Sequence, residues 1–296
     1  MAISAHHPFR SAAAKERYLE HYARREKDWP AAAESRLVQT SYGETFVRIG
    51  GPAAAEPLVL LHGAASSSLQ WLSNIETLSE HYRTYAVDDF YGCGRSRAIR
   101  PIRGAAGLVA WLDELLGALG LGDNINFVGL SYGAWLISQY TLRFPDRVNK
   151  LVLLAPAAVV LPIRAAVIAR AVISFLPHRL FARNFFCWMF ADLARKDSRL
   201  TEDMVDAILL ARSCFKPRRP VRPTVLTAAE LCSMNKPLLF LFGENEKLYS
   251  PWDAVQRLNE VVPRVKTEVI PGAGHDLAVV QAQQVNTKIL EFLQRP

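Results

Sequence analysis

Short apolar runs recur along this chain, separated by stretches whose apolar residues return every three or four positions. The runs fall at 57–61, 125–130, 149–155 and 237–242, and 83–87 and 265–270 are predicted as further, more polar strands. Four to six consecutive apolar residues bounded by polar turns predict strands buried on both faces of a parallel sheet. The stretches 69–80, 105–119, 134–144, 251–261 and 277–293 carry the helical period. Upstream, 35–40 and 44–49 alternate around Tyr42-Gly43 and predict a hairpin. Residues 11–28, with Tyr18, Leu19 and Tyr22 among Ala, Arg and Glu, predict an N-terminal helix packed along one face.

Strand and helix alternate from 57 to 155, which predicts a doubly wound α/β sheet. The expected sheet has eight mostly parallel strands flanked by helices. The alternation stops at Ala157 and resumes at Pro237. Between them, 159–190 and 201–215 are expected to be helical, followed by the Pro/Arg-rich stretch 216–223. The expected organisation is a core of 1–156 and 237–296, with 1–34 as a helical extension. Residues 157–236 form a helical lid inserted between strands 6 and 7. Pro162, Arg164 and Arg170 argue against a membrane span in 157–177.

Composition narrows the class. The chain has 296 residues, half of them hydrophobic, and a formal charge of +7. Residues 157–236 hold thirteen Lys and Arg against six Asp and Glu, so the whole excess lies in the insertion. A solvated basic lid surface is the simplest reading, with contact to a membrane surface as the less favoured one. Clustered aromatics with glycines of the RNA-binding kind are missing, so no nucleic-acid partner is expected. The segment 1–10 has no apolar run, so no secretory leader is expected. Cys93, Cys187, Cys214 and Cys232 form no C-x-x-C pair. Reduced thiols in the cytoplasm and no metal or organic cofactor are expected.

The chemistry concentrates at the ends of the predicted strands. Gly129-Leu130-Ser131-Tyr132-Gly133 joins a strand to a helix. A serine turned sharply between strand and helix needs very small neighbours two positions away, and the helix N-terminus then faces the reacting centre. Ser131 is the expected nucleophile. A serine hydroxyl needs a base, and the base needs an orienting acid. His275, in Pro271-Gly272-Ala273-Gly274-His275, is the only histidine after His178 and follows the last predicted strand. Glu246, in Gly243-Glu244-Asn245-Glu246, is the expected acid, with Glu244 and Asp253 as rivals. Backbone N–H groups of Tyr132 and of Ala64, in His62-Gly63-Ala64-Ala65, are the expected oxyanion donors. His62 is read as a residue that shapes this loop.

These motifs, in this order, resemble the α/β-hydrolase fold superfamily over almost the whole chain. Asp89-Phe90-Tyr91-Gly92-Cys93-Gly94-Arg95-Ser96 and Phe144-Pro145-Asp146-Arg147-Val148 extend the likeness. Trp71-Leu72-Ser73-Asn74-Ile75 and the G-E-x-E pattern are similar to bacterial carboxylesterase-like members, which supports Glu246 as the acid. One departure is Tyr91, where the family's D-x-P-G-x-G-x-S motif has proline.

The resemblance implies an acyl-enzyme hydrolase acting on carboxylic esters of small to medium apolar substrates. Cleavage of C–C, thioester or amide bonds with the same residues is the alternative. A non-catalytic binding protein on this fold is the alternative of another class. Phe185, Phe186, Trp188, Met189 and Phe190 of the insertion are expected to shape the substrate pocket.

Overall fold

The computed structural model describes residues 8–30 and 33–295. His6 and His7, part of the segment read for a leader, lie outside the described residues. Nine strands form one sheet: β1 Glu34–Thr40, β2 Gly43–Gly50, β3 Pro57–Leu61, β4 Arg83–Val87, β5 Arg97–Ala98, β6 Ile125–Leu130, β7 Val148–Leu154, β8 Leu238–Gly243 and β9 Lys266–Ile270. Their order is β1-β2-β4-β3-β6-β7-β8-β9, with β5 paired to β2. All pairs from β4 through β9 are parallel, whereas β1, β4 and β5 meet β2 antiparallel. The ninth strand, β5, is only two residues long and carries no periodicity to read. It displaces the insertion from between strands 6 and 7 to between β7 and β8.

The helices are α1 Ala12–Glu26, α2 Ile75–Ser79, α3 Gly104–Ala118, α4 Tyr132–Arg143, α5 Ala165–Ile173, α6 Arg179–Met189, α7 Ala191–Lys196, α8 Ser198–Cys214, α9 Ala228–Ser233, α10 Pro251–Val261, α11 Leu277–Val280 and α12 Ala282–Leu293. Successive side chains of each central strand enter opposite layers. Val59, Leu61, Phe127, Leu151, Leu153, Phe240 and Phe242 pack with α3, α4 and α10. Leu58, Leu60, Val128, Leu130, Val152, Leu154, Leu239 and Leu241 pack with Trp71, Ile75 and α12. The continuous apolar runs exist because both layers must be filled.

Three helical expectations are corrected, among them 277–293, which is interrupted at Gln281 between α11 and α12. Residues 69–80 break into a 3₁₀ turn, Ser68–Trp71, and α2. The break falls at buried Asn74, whose amide donates to Ala278 O at 3.1 Å and Asn286 Oδ1 at 2.7 Å. Helix also begins at Ala165, not at Val159. The carbonyls of Pro156, Val159 and Val160 accept bonds from Tyr249 Oη, Leu226 N–H and Arg257 instead of from a helical turn.

The N-terminal helix grips the centre of the molecule. Arg48 is only 2% exposed, yet it sits 2.8 Å from Glu26 and donates to Tyr22 Oη and Ser68 Oγ. Tyr22 donates to Asp88 at 3.1 Å, and Tyr18 donates to Cys93 O. A buried guanidinium is tolerable because these partners replace its water. No helix among the described residues is long and apolar enough to cross a membrane.

Candidate active site

Ser131 is the only residue between β6 and α4 and has φ +54° and ψ −110°. A non-glycine residue there stores about 1–3 kcal/mol of strain. The surroundings hold it in place. Its N–H donates to Leu154 O of β7 at 2.9 Å, and its carbonyl accepts from Trp135 and Ala157 at 3.1 Å. The flanking glycines are a matter of room. A Cβ on Gly129 would lie 2.6 Å from Ala134 N, and one on Gly133 would lie 2.7 Å from His62 O and closer still to Leu61 O. The turn is pressed directly onto β3 and the loop behind it.

As the first residue of α4, Tyr132 carries an N–H with no carbonyl one turn earlier to take it. The loop after β3 comes up beside it. A Cβ on Gly63 would be 3.5 Å from Ser131 Cβ, so that backbone lies about one methyl group away from the serine. Gly63 N–H donates to Gln70 Oε1 at 2.8 Å, which fixes the segment leading into Ala64. His62 Nε2 accepts from Asp89 N–H at 3.1 Å, so its proton is on Nδ1, donated to Gly63 O at 2.7 Å. Both ring nitrogens serve backbone, as the loop-shaping reading expects.

His275 Nδ1 stands 2.9 Å from Glu246 Oε2, and both residues are buried. Glu246 Oε1 accepts the N–H groups of Lys247 at 2.8 Å and Leu248 at 2.9 Å. The carboxylate is therefore aimed by its own backbone before it meets the imidazole. The rivals go elsewhere. Glu244 accepts from Gly272 N–H at 3.0 Å, and Asp253 stands in the first turn of α10, capped by Ser250. Burial lowers the pKa of His275, but the charge and hydrogen bond of Glu246, together with Asp276, outweigh it. The net pKa lies above the usual 6.5. An imidazole facing a carboxylate through Nδ1–H keeps Nε2 as its basic atom.

A second polar cluster lies behind this pair. Asp276 accepts from Leu193 N–H at 2.7 Å and Gly274 N–H at 3.0 Å. Burial raises its pKa, those donors lower it, and nearby Asp192 raises it again, with a net rise. Asn245 donates to Asp192 at 3.1 Å. The start of α7 is thereby fastened to the acid-bearing loop and to the histidine-bearing loop. Gln70, Asp192, Asn245 and Asp276 escaped the sequence reading. Asp276 and Asn245 adjoin the chosen residues in sequence, but nothing marks Asp192, which comes from the insertion.

The loop after β4, with Tyr91 where the family has proline, is held by hydrogen bonds. Tyr91 N–H, a donor proline lacks, bonds Asp89 Oδ1 at 2.7 Å, and Tyr91 Oη donates to Ile102 O at 2.7 Å. Arg218 of the insertion reaches the carbonyls of Phe90 and Gly92. Of the five insertion residues singled out, Phe190 lies with its ring centroid 6.0 Å from that of His275, and Phe186 packs on Phe190 at 4.5 Å. Met189 is buried in the α3–α4 layer, with Phe185 and Trp188 partly buried against it.

Residues 58–287 match the model of the family described as "Alpha/beta hydrolase family". The chain belongs to the alpha/beta hydrolase family. The matched span contains every site residue described above. The chain is 31% identical to "Carboxylesterase YbfK" of Bacillus subtilis over 279 residues, 94% of this chain and 93% of that protein. It is 32% identical to "Uncharacterized carboxylesterase nap" of the same organism over 278 residues, 93% of this chain and 92% of the relative. The crystal structure of naproxen esterase (carboxylesterase NP) from Bacillus subtilis superposes with a TM-score of 0.87 at 31% identity. That superposition covers 96% of this chain and 99% of the other.

Proposed function

We propose that this protein is a carboxylic ester hydrolase that works through an acyl-enzyme on Ser131. The observation that carries the reading is the His275–Glu246 pair, with Nδ1 committed to a carboxylate that its own backbone aims. Similarity to carboxylesterases over more than nine-tenths of the chain supports the ester as substrate class.

Ser131 Oγ attacks the ester carbonyl carbon while His275 Nε2 takes its proton. Negative charge collects on the former carbonyl oxygen, where Ala64 and Tyr132 N–H groups receive it. The intermediate collapses, His275 returns the proton to the departing alkoxide, and the alcohol leaves. Water, deprotonated by the same Nε2, attacks the acyl-enzyme and releases the acid. Glu246 stabilises the imidazolium in both halves. The residues between β7 and β8 act as a lid over the core. Phe190 and Phe186 line the substrate side, with Phe185, Trp188 and Met189 behind them, favouring small to medium apolar esters. We place the enzyme in the cytoplasm with its thiols reduced.

Turnover of p-nitrophenyl esters from acetate to octanoate tests this reading. Wild type should hydrolyse at least one, and Ser131→Ala none above background. Equal rates for the two proteins across the series would reject it. A fluorophosphonate probe should label wild type at Ser131 alone.

A further inference from the structure

Seven of the ten large hydrophobic residues most exposed in the described chain fall within fourteen positions. They are Ile168, Val172, Ile173, Phe175, Leu176, Leu180 and Phe181, at the hairpin joining α5 to α6. Val172 is 66% and Phe175 70% exposed. Val167, Ser174, Ala182 and Phe186 face inward, so this hairpin is largely apolar on its solvent side as well. Scattered exposed leucines need no explanation, but a contiguous group does.

The hairpin is braced. Arg212 of α8 donates to Ser174 O at 2.6 Å and lies 4.1 Å from the Phe175 ring centroid. Arg170 lies 4.6 Å from that of Trp188. The hairpin's own charge has one sign, since no Asp or Glu occurs between Asp146 and Asp192. Arg179 and Arg183 are answered by Glu202 and Asp206 of α8. Arg164 and Arg170 make no ion pair among the described residues and stand exposed.

We propose that the α5–α6 hairpin is a docking surface for an anionic lipid bilayer. Apolar side chains enter the boundary between headgroups and acyl chains, and Arg164 and Arg170 meet the lipid phosphates. Interfacial helices combine these two features. A second copy of this chain is the poorer occupant. A two-fold dimer would set arginine against arginine around the apolar contact, with no acid from the hairpin to answer them. The position also serves a hydrolase of apolar esters. Helix α6 starts at the exposed tip and ends one residue before Phe190, which packs against His275. Its eleven residues span about 16 Å at the helical rise.

Vesicle flotation tests the proposal with the full chain. The vesicles are phosphatidylcholine alone or equal parts phosphatidylcholine and phosphatidylglycerol. Wild type should float with the mixed vesicles and remain below the neutral ones, and high salt should release it. Val172→Asp/Phe175→Asp should lose binding by about tenfold or more, as should Arg164→Glu/Arg170→Glu. Both double variants should hydrolyse a soluble short-chain ester at the wild-type rate, which separates lost docking from a lost fold or site. Undiminished flotation of the variants, or no flotation of wild type, would overturn it. So would a wild-type dimer in sedimentation that Val172→Asp/Phe175→Asp dissolves, because it assigns the hairpin to a second copy.

Discussion

Glu246 Oε2 lies 2.9 Å from His275 Nδ1, while Oε1 of the same carboxylate is held by the N–H groups of Lys247 and Leu248. One residue thus fixes both the tautomer and the tilt of the imidazole. Glu246→Gln keeps the size but removes the charge, and its amide can present a donor to Nδ1. It should lower kcat by about 10³-fold or more with little change in KM. Glu244→Gln, whose partner is Gly272 N–H, should leave kcat within about twofold. Steady-state kinetics on one ester for both variants decides between the two carboxylates, and the reverse ranking would exchange their roles.

The raised pKa of His275 gives catalysis and stability opposite responses to pH. As the proposed base, His275 must be neutral, so kcat/KM should fall as pH drops through a midpoint above the usual histidine value of about 6.5. Stability follows the other sign. A folded pKa above the unfolded one contributes stability that is full below about 6.5 and is lost as pH rises through the folded value. In a Ser131→Ala background, the Tm loss caused by Glu246→Gln should therefore shrink as pH rises through that window. Asp276→Asn removes a second carboxylate from the imidazole and should move the kinetic midpoint down.

Two glycines separate folding from function. Gly133→Ala would drive a Cβ into the carbonyls of Leu61 and His62, and should cost about 3 kcal/mol in urea unfolding. At Gly63 the nearest atoms to a new Cβ are Gln70 Oε1 and Ser131 Cβ, both at 3.5 Å, an ordinary contact. Gly63→Ala should therefore unfold like wild type. The methyl group would nonetheless crowd the space beside the nucleophile, and kcat/KM should fall by about 10²-fold.

Arg48 tests the anchoring of α1. Removing the guanidinium leaves a buried void and takes one partner each from Glu26, Tyr22 and Ser68, and Arg48→Ala should destabilise the fold by about 3 kcal/mol. Arg48→Met, which refills the volume, should recover part of that loss. Thermal unfolding of the two variants measures the difference, and activity per folded molecule should stay at the wild-type level.

The sequence carried its signals where local physics and global fold agree. Long apolar runs became strands because both sheet faces are covered. Ser131 and His275 stood out as candidates because each follows a predicted strand on a glycine-bearing loop. Glu246 stood out as one of three acids, and its preference over Glu244 rested on the G-E-x-E likeness. The break at Asn74 was not legible, because it depends on Ala278 and Asn286, some two hundred positions away. Asp192 was hidden for the same reason. Val159 and Val160 open the apolar stretch expected to be helical, but their carbonyls are claimed by other elements. The exposed hairpin at Phe175 lay unmarked inside a stretch expected to be helical, since apolar periodicity does not say which side meets solvent.

The backbone of Ser131 carries a consequence for refolding. Its positive φ is imposed by Leu154 of β7 and by the tight seat against Leu61 and His62, not by local preference. Until those strands have met, the residue relaxes to an ordinary conformation and is an ordinary alcohol. Recovery of fluorophosphonate reactivity during refolding should therefore lag the return of helical circular dichroism, and its time course would clock the closing of the central sheet.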